Sequence, residues 1–259
     1  MSGRTRPEFN DLTWPADSTQ ADAHVPTSAP SGGERCEGCA GQAGAPMTLE
    51  PVHPEIRRYL DSLVPPRAPE LAAMEAEAER AKFPIIGPAA GHFCYAVSRL
   101  IGARSVFELG SGFGYSTAWF ARAVRENGGG VVHHTVWDTE LSKEARTRLG
   151  TLGFADIVQY HVGEAVQTLR EVRGSFDLVF LDIDKDGYPA ALPVIRERLR
   201  PGGVLIADNL LWHGQVIDPK DHSEATAGVR EFTRLVTTGQ DWLASVVPIR
   251  DGLLLAYRR

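Results

Sequence analysis

The segment FDLVFLDIDKDGY, which spans residues 176–188, passes abruptly from apolar to charged side chains. Apart from Asp177, the part Phe176–Leu181 is continuously apolar, which is typical of a buried strand. Four charged residues follow directly: Asp182, Asp184, Lys185 and Asp186. Three carboxylates and an ammonium at the end of a buried strand could hold a cation, orient a polar ligand or transfer a proton.

A second predicted strand, in the segment GGVLIADNLLWHG, also ends in polar residues, Asp208 and Asn209. The carboxyl ends of the strands in an open α/β sheet form the ligand crevice, so these side chains are expected close to Asp182. Three oxygen ligands suit Mg²⁺, Mn²⁺ or Ca²⁺ and leave room for water or a bidentate substrate. Without a cation the carboxylates would repel each other, and one would take up a proton. The alternative for Asp208 and Asn209 is an ordinary turn after the strand.

A glycine-rich loop in the segment VFELGSGFGYSTAWF joins the first predicted strand to a helix. Gly110, Gly112 and Gly114 allow a sharp turn and the close approach of a ligand to the backbone. Their spacing is G-x-G-x-G, whereas dinucleotide sites use G-x-G-x-x-G. The carboxylate of Glu108 would repel a pyrophosphate but suit a ligand with an amino group or a sulfonium. The alternative is a tight strand-to-helix turn in which the glycines are structural.

Asp138 is the candidate for binding ribose hydroxyls, because a carboxylate near the end of the second strand does this in nucleotide sites. It lies in the segment HHTVWDTE, with Glu140 behind it. The alternative role for Asp138 is the N-cap of the following helix. His133 and His134 lie too early in the strand to reach the crevice, and they are expected to be structural.

These candidate residues are carried by strands and helices that alternate along the chain from residue 105 onward. Three helices are predicted before them, at residues 53–63, 69–83 and 88–103. Strand–helix alternation predicts a parallel sheet with right-handed crossovers. The last segment, WLASVVPIRDGLLLAYR, predicts two strands joined near RDG, a hairpin that adds an antiparallel edge.

Composition and charge narrow the class of protein further. The chain has 259 residues, 43% of them hydrophobic, which suffices for a stable core without disulfides. A net charge of −6 argues against binding to a nucleic-acid backbone. No apolar run approaches the roughly 18 residues of a membrane span, and no secretory signal is recognisable. Three cysteines make no disulfide framework, so a reducing, cytoplasmic setting is expected.

Residues 1–46 differ from the rest of the chain in composition. They are rich in Gly, Pro, Ser, Ala and Asp and are predicted to be a disordered tail, followed by a single domain at 47–259. Met47 directly follows the tail, so a second hypothesis is that translation starts there. The pair Cys36 and Cys39 could be a redox pair or half of a zinc site, but no partner follows at suitable spacing.

Three segments together resemble the cation-dependent O-methyltransferases that include catechol and caffeoyl-CoA O-methyltransferases. They are FELGSGFGYS, FDLVFLDIDKDGY and GGVLIADNLLWHG, and the resemblance covers roughly residues 50–259. It implies a Rossmann-like class I methyltransferase fold, with a mostly parallel seven-stranded sheet, a C-terminal antiparallel hairpin and extra N-terminal helices. It also implies S-adenosylmethionine as methyl donor, Mg²⁺ as the metal and a homodimer.

The resemblance also assigns roles to residues. The implied metal ligands are Asp182, Asp208 and Asn209. Lys185 is implied as the base, or the charge partner, for the substrate hydroxyl. The implied residues of the S-adenosylmethionine pocket are Glu108, Gly110, Ser116, Ala165 and Asp182, with Asp184 nearby and Asp138 as the ribose ligand.

The chain departs from the family pattern at two places. Val136 stands where the family has its first ribose-binding acid, so ribose binding is expected to be altered. His213 stands where the family often has Asn after a Trp, and it could contact substrate or remain a loop residue. Trp212 could wall the acceptor pocket or simply pack in the core.

The resulting hypothesis is a metal-dependent O-methyltransferase that acts on a hydroxyl of a catechol-like small molecule. The same chemistry on an acyl-CoA ester or a natural-product intermediate is the alternative within enzymes. A non-catalytic S-adenosylmethionine-binding protein and a nicotinamide oxidoreductase are alternatives from other classes. The set Asp182, Lys185, Asp208 and Asn209 argues against the first of these, and the glycine spacing argues against the second.

Overall fold

A computed structural model describes residues 51–259 of the chain. The predicted tail at 1–46, the start hypothesis at Met47 and the Cys36/Cys39 pair lie outside the described residues. Seven strands form one sheet: β1 Ser105–Leu109, β2 Val131–Val136, β3 Val158–Val162, β4 Phe176–Leu181, β5 Leu199–Ala207, β6 Trp242–Val247 and β7 Leu253–Arg258.

The strand order is β3-β2-β1-β4-β5-β7-β6. Strands β1 to β5 pair in parallel, whereas β7 is antiparallel to both β5 and β6. This confirms the predicted fold class, including the C-terminal hairpin and the helices that precede β1. The helices are α1 Pro54–Ser62, α2 Pro69–Ala81, α3 Gly87–Leu100, α4 Tyr115–Glu126, α5 Thr139–Thr151, α6 Ala165–Glu171, α7 Tyr188–Arg198 and α8 Glu224–Thr238.

The apolar run of β4 is explained by helices that cover both faces of the sheet. Leu178 and Phe180 point into one core, where Phe180 packs on Phe120 of α4. Val179 and Leu181 point into a second core on the opposite face. Because side chains alternate between the faces of a strand, a strand buried on both sides must be apolar throughout.

The register of the central strands brings the two predicted acidic strand ends to one edge of the sheet. Leu181 of β4 is paired with Ala207 of β5, and Asp182 and Asp208 are the residues that follow them. The ladder continues by one residue, since the Asp208 amide donates to the Leu181 carbonyl at 3.1 Å. The Asp182 amide donates to the Leu109 carbonyl of β1 at 2.8 Å. The ends of β1, β4 and β5 therefore lie side by side.

The turn between β6 and β7 is held against the loop that follows β5. The Leu210 amide donates to the carbonyl of Gly252 at 2.9 Å, and the Leu211 amide donates to that of Asp251 at 2.8 Å. Arg250, just before them, has φ +52°, a left-handed conformation that favours glycine. The predicted hairpin thus contributes side chains to the same sheet edge as Asp182 and Asp208.

The N-terminal helices pack mainly on α4, which both α2 and α3 contact, and α1 packs on α3. Gly91 of α3 allows the indole of Trp119 to lie directly on the helix backbone. Further out, α1 exposes the apolar side chains of Ile56, Tyr59 and Leu63. In the part of the chain from residue 51 onward, no helix has the length and apolar character to cross a membrane. The predicted homodimer is untested by one chain and stays a prediction.

We expect Gly91→Ala to destabilise the protein by about 1–3 kcal/mol, because extra volume in a packed core forces neighbours to move. An added Cβ would lie 2.2 Å from Nε1 of the buried Trp119. The matched control is Gly150→Ala in α5, where a Cβ meets no atom within 4 Å. That change should raise the free energy of unfolding by up to about 1 kcal/mol, since alanine favours helix over glycine. Urea denaturation measures both, and equal effects would contradict the packing argument.

Candidate active site

Two carboxylates with different environments lie at the centre of the sheet edge. Asp182 is partly exposed, and its Oδ1 accepts a hydrogen bond from the Lys185 ammonium at 2.8 Å. Asp208 is buried, and its Oδ2 lies 3.3 Å from Nη1 of Arg250. Burial, and then the charge of Asp182, raise the pKa of Asp208 to about 6, although Arg250 opposes this. The Oδ1 atom of Asp208 is buried without a hydrogen-bond partner.

Lys185 is buried, and its ammonium is surrounded by acceptors. Besides Asp182 Oδ1, Nζ donates to the Ile183 carbonyl at 3.1 Å and to the Tyr188 hydroxyl at 3.0 Å. It also lies 5.9 Å from the ring centroid of Trp212. Three acceptors use all three N–H groups of the ammonium, so the charge-partner role towards a substrate hydroxyl would also require one of these contacts to be replaced, and it stays a prediction. A base role would require an acceptor hydroxyl to replace one of these contacts.

Tyr188 links Lys185 to both strand ends, a role that the sequence analysis missed. Its hydroxyl is buried and lies 3.1 Å from the Leu181 carbonyl and 3.0 Å from the Asp208 carbonyl. Burial raises the pKa of Tyr188 well above its ordinary value, so the hydroxyl stays neutral. A neutral hydroxyl that bridges two strand ends and accepts from Lys185 fixes the position of that ammonium. In sequence, Tyr188 was assigned only to the start of a helix.

Asp251 of the hairpin turn is a second residue that the sequence analysis missed. It is buried, and its Oδ2 accepts from Nδ2 of Asn209 at 3.1 Å. This contact uses the amide nitrogen of Asn209 and leaves its side-chain oxygen available to a ligand. The Oδ1 of Asp251 accepts from the His213 amide at 2.7 Å, whereas the His213 side chain is 60% exposed. The signal in the sequence, RDG, was interpreted only as a turn.

The residues present fit a divalent cation on the evidence of their chemistry. Asp182, Asp208 and Asn209 come together, and Asp208 Oδ1 is a buried oxygen that no protein donor satisfies. Buried polar atoms are normally paired, so such an orphan is a candidate position for a bound ion. Within residues 51–259 no group of three or more His, Cys, Asp or Glu side chains could hold a metal. A cation here would therefore depend on the amide oxygen as its third protein ligand.

The glycine loop packs its backbone against the end of β4. Gly110 has φ +87°, and a Cβ at this position would lie 2.1 Å from the Asp182 carbonyl oxygen. Gly114 has φ +96° and forms the N-cap of α4. The loop is also tied to β2, because the Ser111 amide donates to Thr135 and the Thr135 amide donates to Ser111 Oγ, both at 3.0 Å. The loop is therefore fixed before any ligand arrives.

Glu108 lies beneath this loop as a fully buried carboxylate. Its Oε2 accepts from Thr117 Oγ1 at 2.5 Å, and its Oε1 has no partner. Burial raises the pKa of Glu108 to about 7, against the hydrogen bond from Thr117. Thr117 Oγ1 also lies 3.1 Å from Nδ1 of the buried His134, whose pKa burial lowers to about 3. This unpartnered oxygen is where the expected contact with a cationic ligand would form, and that contact stays a prediction.

Asp138 caps α5, which is the alternative that the sequence left open. Its Oδ1 accepts from the amides of Glu140 at 2.7 Å and Leu141 at 3.0 Å. The Oδ2 atom remains available, so the predicted ribose contact stays a prediction. Between Val136 and Asp138, the indole of Trp137 is 69% exposed at the end of β2. A large exposed aromatic beside a missing acid offers a stacking surface in place of a hydrogen bond.

The other predicted cofactor residues lie around the same sheet edge. Ser116 is buried in the first turn of α4, directly after the glycine loop. Ala165 is the first residue of α6, whose N-cap is Glu164. Asp184 is exposed and directly precedes the short 3-10 helix Lys185–Gly187. Their roles in cofactor binding stay predictions, since their positions follow from the fold alone.

A cavity of about 480 Å³ opens beside Arg250. Its apolar wall comes from the connection between α2 and α3, namely Phe83, Pro84, Ile85, Gly87 and Pro88. Arg250 belongs to its lining and also contacts Asp208 of the sheet edge. An aromatic molecule of moderate size in this cavity could therefore contact both the apolar wall and Arg250.

Comparisons with known proteins identify the family of the chain. Residues 68–259 match the model of the O-methyltransferase family. The catechol O-methyltransferase of Mycobacterium tuberculosis is 34% identical over 187 residues, which cover 71% of this chain and 84% of that protein. Two solved structures superpose on most of the chain. The O-methyltransferase of Bacillus cereus in complex with SAH has a TM-score of 0.72 and 27% identity, and covers 79% of this chain and 97% of its own.

The second structure is the O-methyltransferase TomG of Streptomyces achromogenes, which is involved in tomaymycin synthesis and was solved in complex with SAM. Its TM-score is 0.71 at 28% identity, with 79% of this chain and 96% of that chain covered. These matches confirm the family inferred from the strand-end motifs and the glycine loop. The chain belongs to the O-methyltransferase family, and it is an S-adenosylmethionine-dependent O-methyltransferase.

Proposed function

We propose that this enzyme requires a divalent cation, most simply Mg²⁺, and methylates a hydroxyl of a catechol-like small molecule. The observation that carries the proposal is the buried, unpartnered Oδ1 of Asp208 at the edge shared with Asp182 and Asn209. Two carboxylates and an amide oxygen are hard ligands that suit Mg²⁺. The similarity to a catechol O-methyltransferase supports the same acceptor class.

The cofactor-side residues bind and orient S-adenosylmethionine in this proposal. The carboxylate of Glu108 attracts the positive charge of the methionyl end, and Gly110 lets the ligand approach the backbone. Ser116, Ala165 and Asp184 line the pocket, and Asp138 takes the ribose with its free Oδ2. Binding the donor on a preformed loop places the reactive methyl beside the acceptor, and positioning of this kind supplies much of the rate.

The acceptor-side residues hold the attacking oxygen in place. A bound cation would lower the pKa of an acceptor hydroxyl, as it does for bound water. Lys185, held by Asp182 and Tyr188, acts on the acceptor hydroxyl in one of two ways: as a neutral amine it takes the hydroxyl proton, or as an ammonium it stabilises the developing oxyanion while the proton leaves to solvent. Trp212 and the apolar wall of the cavity exclude water from the aromatic ring, and His213 lies exposed where it could contact the acceptor rim. The oxyanion then attacks the sulfonium methyl, and S-adenosylhomocysteine leaves.

Removal of the metal, or of one of its ligands, tests the proposal directly. Methyl transfer from S-adenosylmethionine to caffeate should require Mg²⁺, stop with EDTA, and fall by at least about a hundredfold in Asp208→Ala. Chromatography of the methylated product measures this, and Mn²⁺ paramagnetic resonance should show lost metal binding. The control Asp241→Ala removes an exposed carboxylate paired with Arg196 and should retain both. Activity that persists in EDTA and in Asp208→Ala would refute the metal site.

Lys185→Met tests the ammonium at the acceptor side. It removes the contacts to Asp182 and Tyr188, and we expect kcat to fall by about 10²–10⁴-fold, the usual size of a proton-transfer or charge contribution. Binding of S-adenosylmethionine, measured by calorimetry, should change by less than about threefold, because Lys185 acts on the acceptor. Lys143→Met removes an exposed lysine paired with Glu140 and serves as the matched control. Unchanged kcat in Lys185→Met would exclude the proposed role.

Glu108→Gln separates ligand binding from stability. The pKa of Glu108 is about 7 in the folded protein and lower in the unfolded chain. The fold is therefore destabilised progressively as the pH rises between these two pKa values, and the full loss is reached above pH 7. Glu108→Gln should therefore raise the free energy of unfolding by about 2–3 kcal/mol more at pH 8 than at pH 5. Its affinity for S-adenosylmethionine should fall by about tenfold or more, since a charge-assisted contact is lost.

Denaturant titrations at both pH values and calorimetry with S-adenosylmethionine provide the two readouts. Glu231→Gln is the control, because Arg234 lowers the pKa of this exposed carboxylate and no gain at high pH should follow. A Glu108→Gln protein that binds the donor normally would remove Glu108 from the site, whatever its stability.

A further inference from the structure

The strongest unassigned feature of the site is the side chain of Arg250. It lies at a left-handed backbone position, φ +52°, where a glycine would be free of strain. Strained positions of this kind persist where the surrounding structure imposes them, and they occur preferentially at functional sites. Here the neighbours Asp251 and Gly252 are tied to the loop after β5, so the turn cannot relax without disturbing Asn209.

The guanidinium of Arg250 is only partly used by the protein. It makes one contact, from Nη1 to Asp208 Oδ2 at 3.3 Å, and its side chain is 24% exposed. Within residues 51–259 its other N–H groups make no hydrogen bond or ion pair. Arginine presents its donors as a planar fork that matches a carboxylate with two parallel bonds. A monodentate pair therefore leaves room for a second, anionic partner.

Arg250 also lines the cavity of about 480 Å³. Three cations line that cavity, Arg57, Lys82 and Arg250, together with three acids, Asp61, Glu75 and Glu79. These charges balance in number, so an anion would be attracted by Arg250 itself rather than by the cavity lining as a whole.

At the sheet edge, Arg250 is the cationic partner of Asp208. Asp182 is already balanced by Lys185, so Arg250 is the second fixed cation beside Asp208. A divalent ion on the same carboxylates, as proposed above, would leave Arg250 without a fully charged partner. An uncompensated, half-buried cation is unfavourable, and an anion on the incoming ligand removes the penalty.

We propose that Arg250 makes this enzyme selective for acceptors that carry a carboxylate on, or close to, the hydroxylated ring. The proposal rests on the proposed function and names its substrate class. The anion must be close to the ring because Arg250 contacts the very carboxylate that would ligate the metal. An anionic group at the far end of a long carrier would not reach this position. The aromatic ring itself packs on the apolar wall formed by Phe83, Pro84 and Ile85.

The test uses two catechols that differ in one group, 3,4-dihydroxybenzoate and 4-methylcatechol. The wild-type enzyme with Mg²⁺ should prefer the carboxylate by at least about tenfold in kcat/KM, the size of a charge-assisted hydrogen bond. Arg250→Gly, which also relieves the backbone strain, and Arg250→Gln should lose this preference through a higher KM for 3,4-dihydroxybenzoate. Turnover of 4-methylcatechol reports any effect of these variants that reaches the metal ligands through Asp208, so the expected result is a change in the ratio of the two kcat/KM values.

Arg234→Gln, an exposed arginine of α8 paired with Glu231, is the matched control and should keep the wild-type preference. An unchanged preference in both Arg250 variants, or an equal loss for the two catechols, would overturn the proposal. Calorimetry of 3,4-dihydroxybenzoate binding, in the presence of S-adenosylhomocysteine and Mg²⁺, gives a readout independent of turnover. If neither catechol is methylated, the proposed function fails. The carboxylate site is then still supported if wild type binds 3,4-dihydroxybenzoate and Arg250→Gly does not. No binding to wild type would overturn it.

Discussion

The compensation of the buried carboxylate of Asp208 is the interaction on which the rest of the site depends. The parallel pairing of β4 with β5 forces Asp208 to lie beside Asp182, and burial makes its charge unfavourable. Two cationic side chains from other parts of the chain compensate the negative charge: Lys185 from the 3-10 helix after β4, and Arg250 from the terminal hairpin. A cation bound to the same oxygens would complete the balance, which is why the metal, the acceptor and Arg250 are linked.

The cofactor side follows a different physical logic. Glu108 is not paired with a cation but is hydrogen-bonded to the neutral hydroxyl of Thr117, itself in contact with His134. A neutral donor holds the carboxylate in place without neutralising it, so a cationic ligand still gains from binding there. The two ends of the reaction are thus prepared differently: among the described residues Glu108 at the donor end has no cationic partner, whereas Asp182 and Asp208 at the acceptor end each have one.

The β6–β7 hairpin forms one lateral side of the sheet, yet the turn between its strands contacts the site directly. Asp251 orients the Asn209 amide and receives the His213 amide, while Arg250 contacts Asp208. A turn at the end of the chain therefore orients two of the three proposed metal ligands. This explains why three neighbouring loop residues with φ of +44° to +62°, Asn209, Trp212 and His213, can be held in a strained backbone.

The sequence by itself determined the fold and the residues at the strand ends. Apolar runs followed by Asp182 and by Asp208 predict buried parallel strands that end at one edge, because parallel strands share the direction of their carboxyl ends. Local patterns also predict the glycine loop and the hairpin. Only the tertiary structure decided how these groups are partnered. Tyr188, Arg250 and Asp251 reach the site across gaps of 20 to 42 residues from their partners Asp208 and Asn209, and no local periodicity encodes such contacts. The role of Asp138 as a helix cap was open in sequence for the same reason: its geometry depends on where the next helix begins.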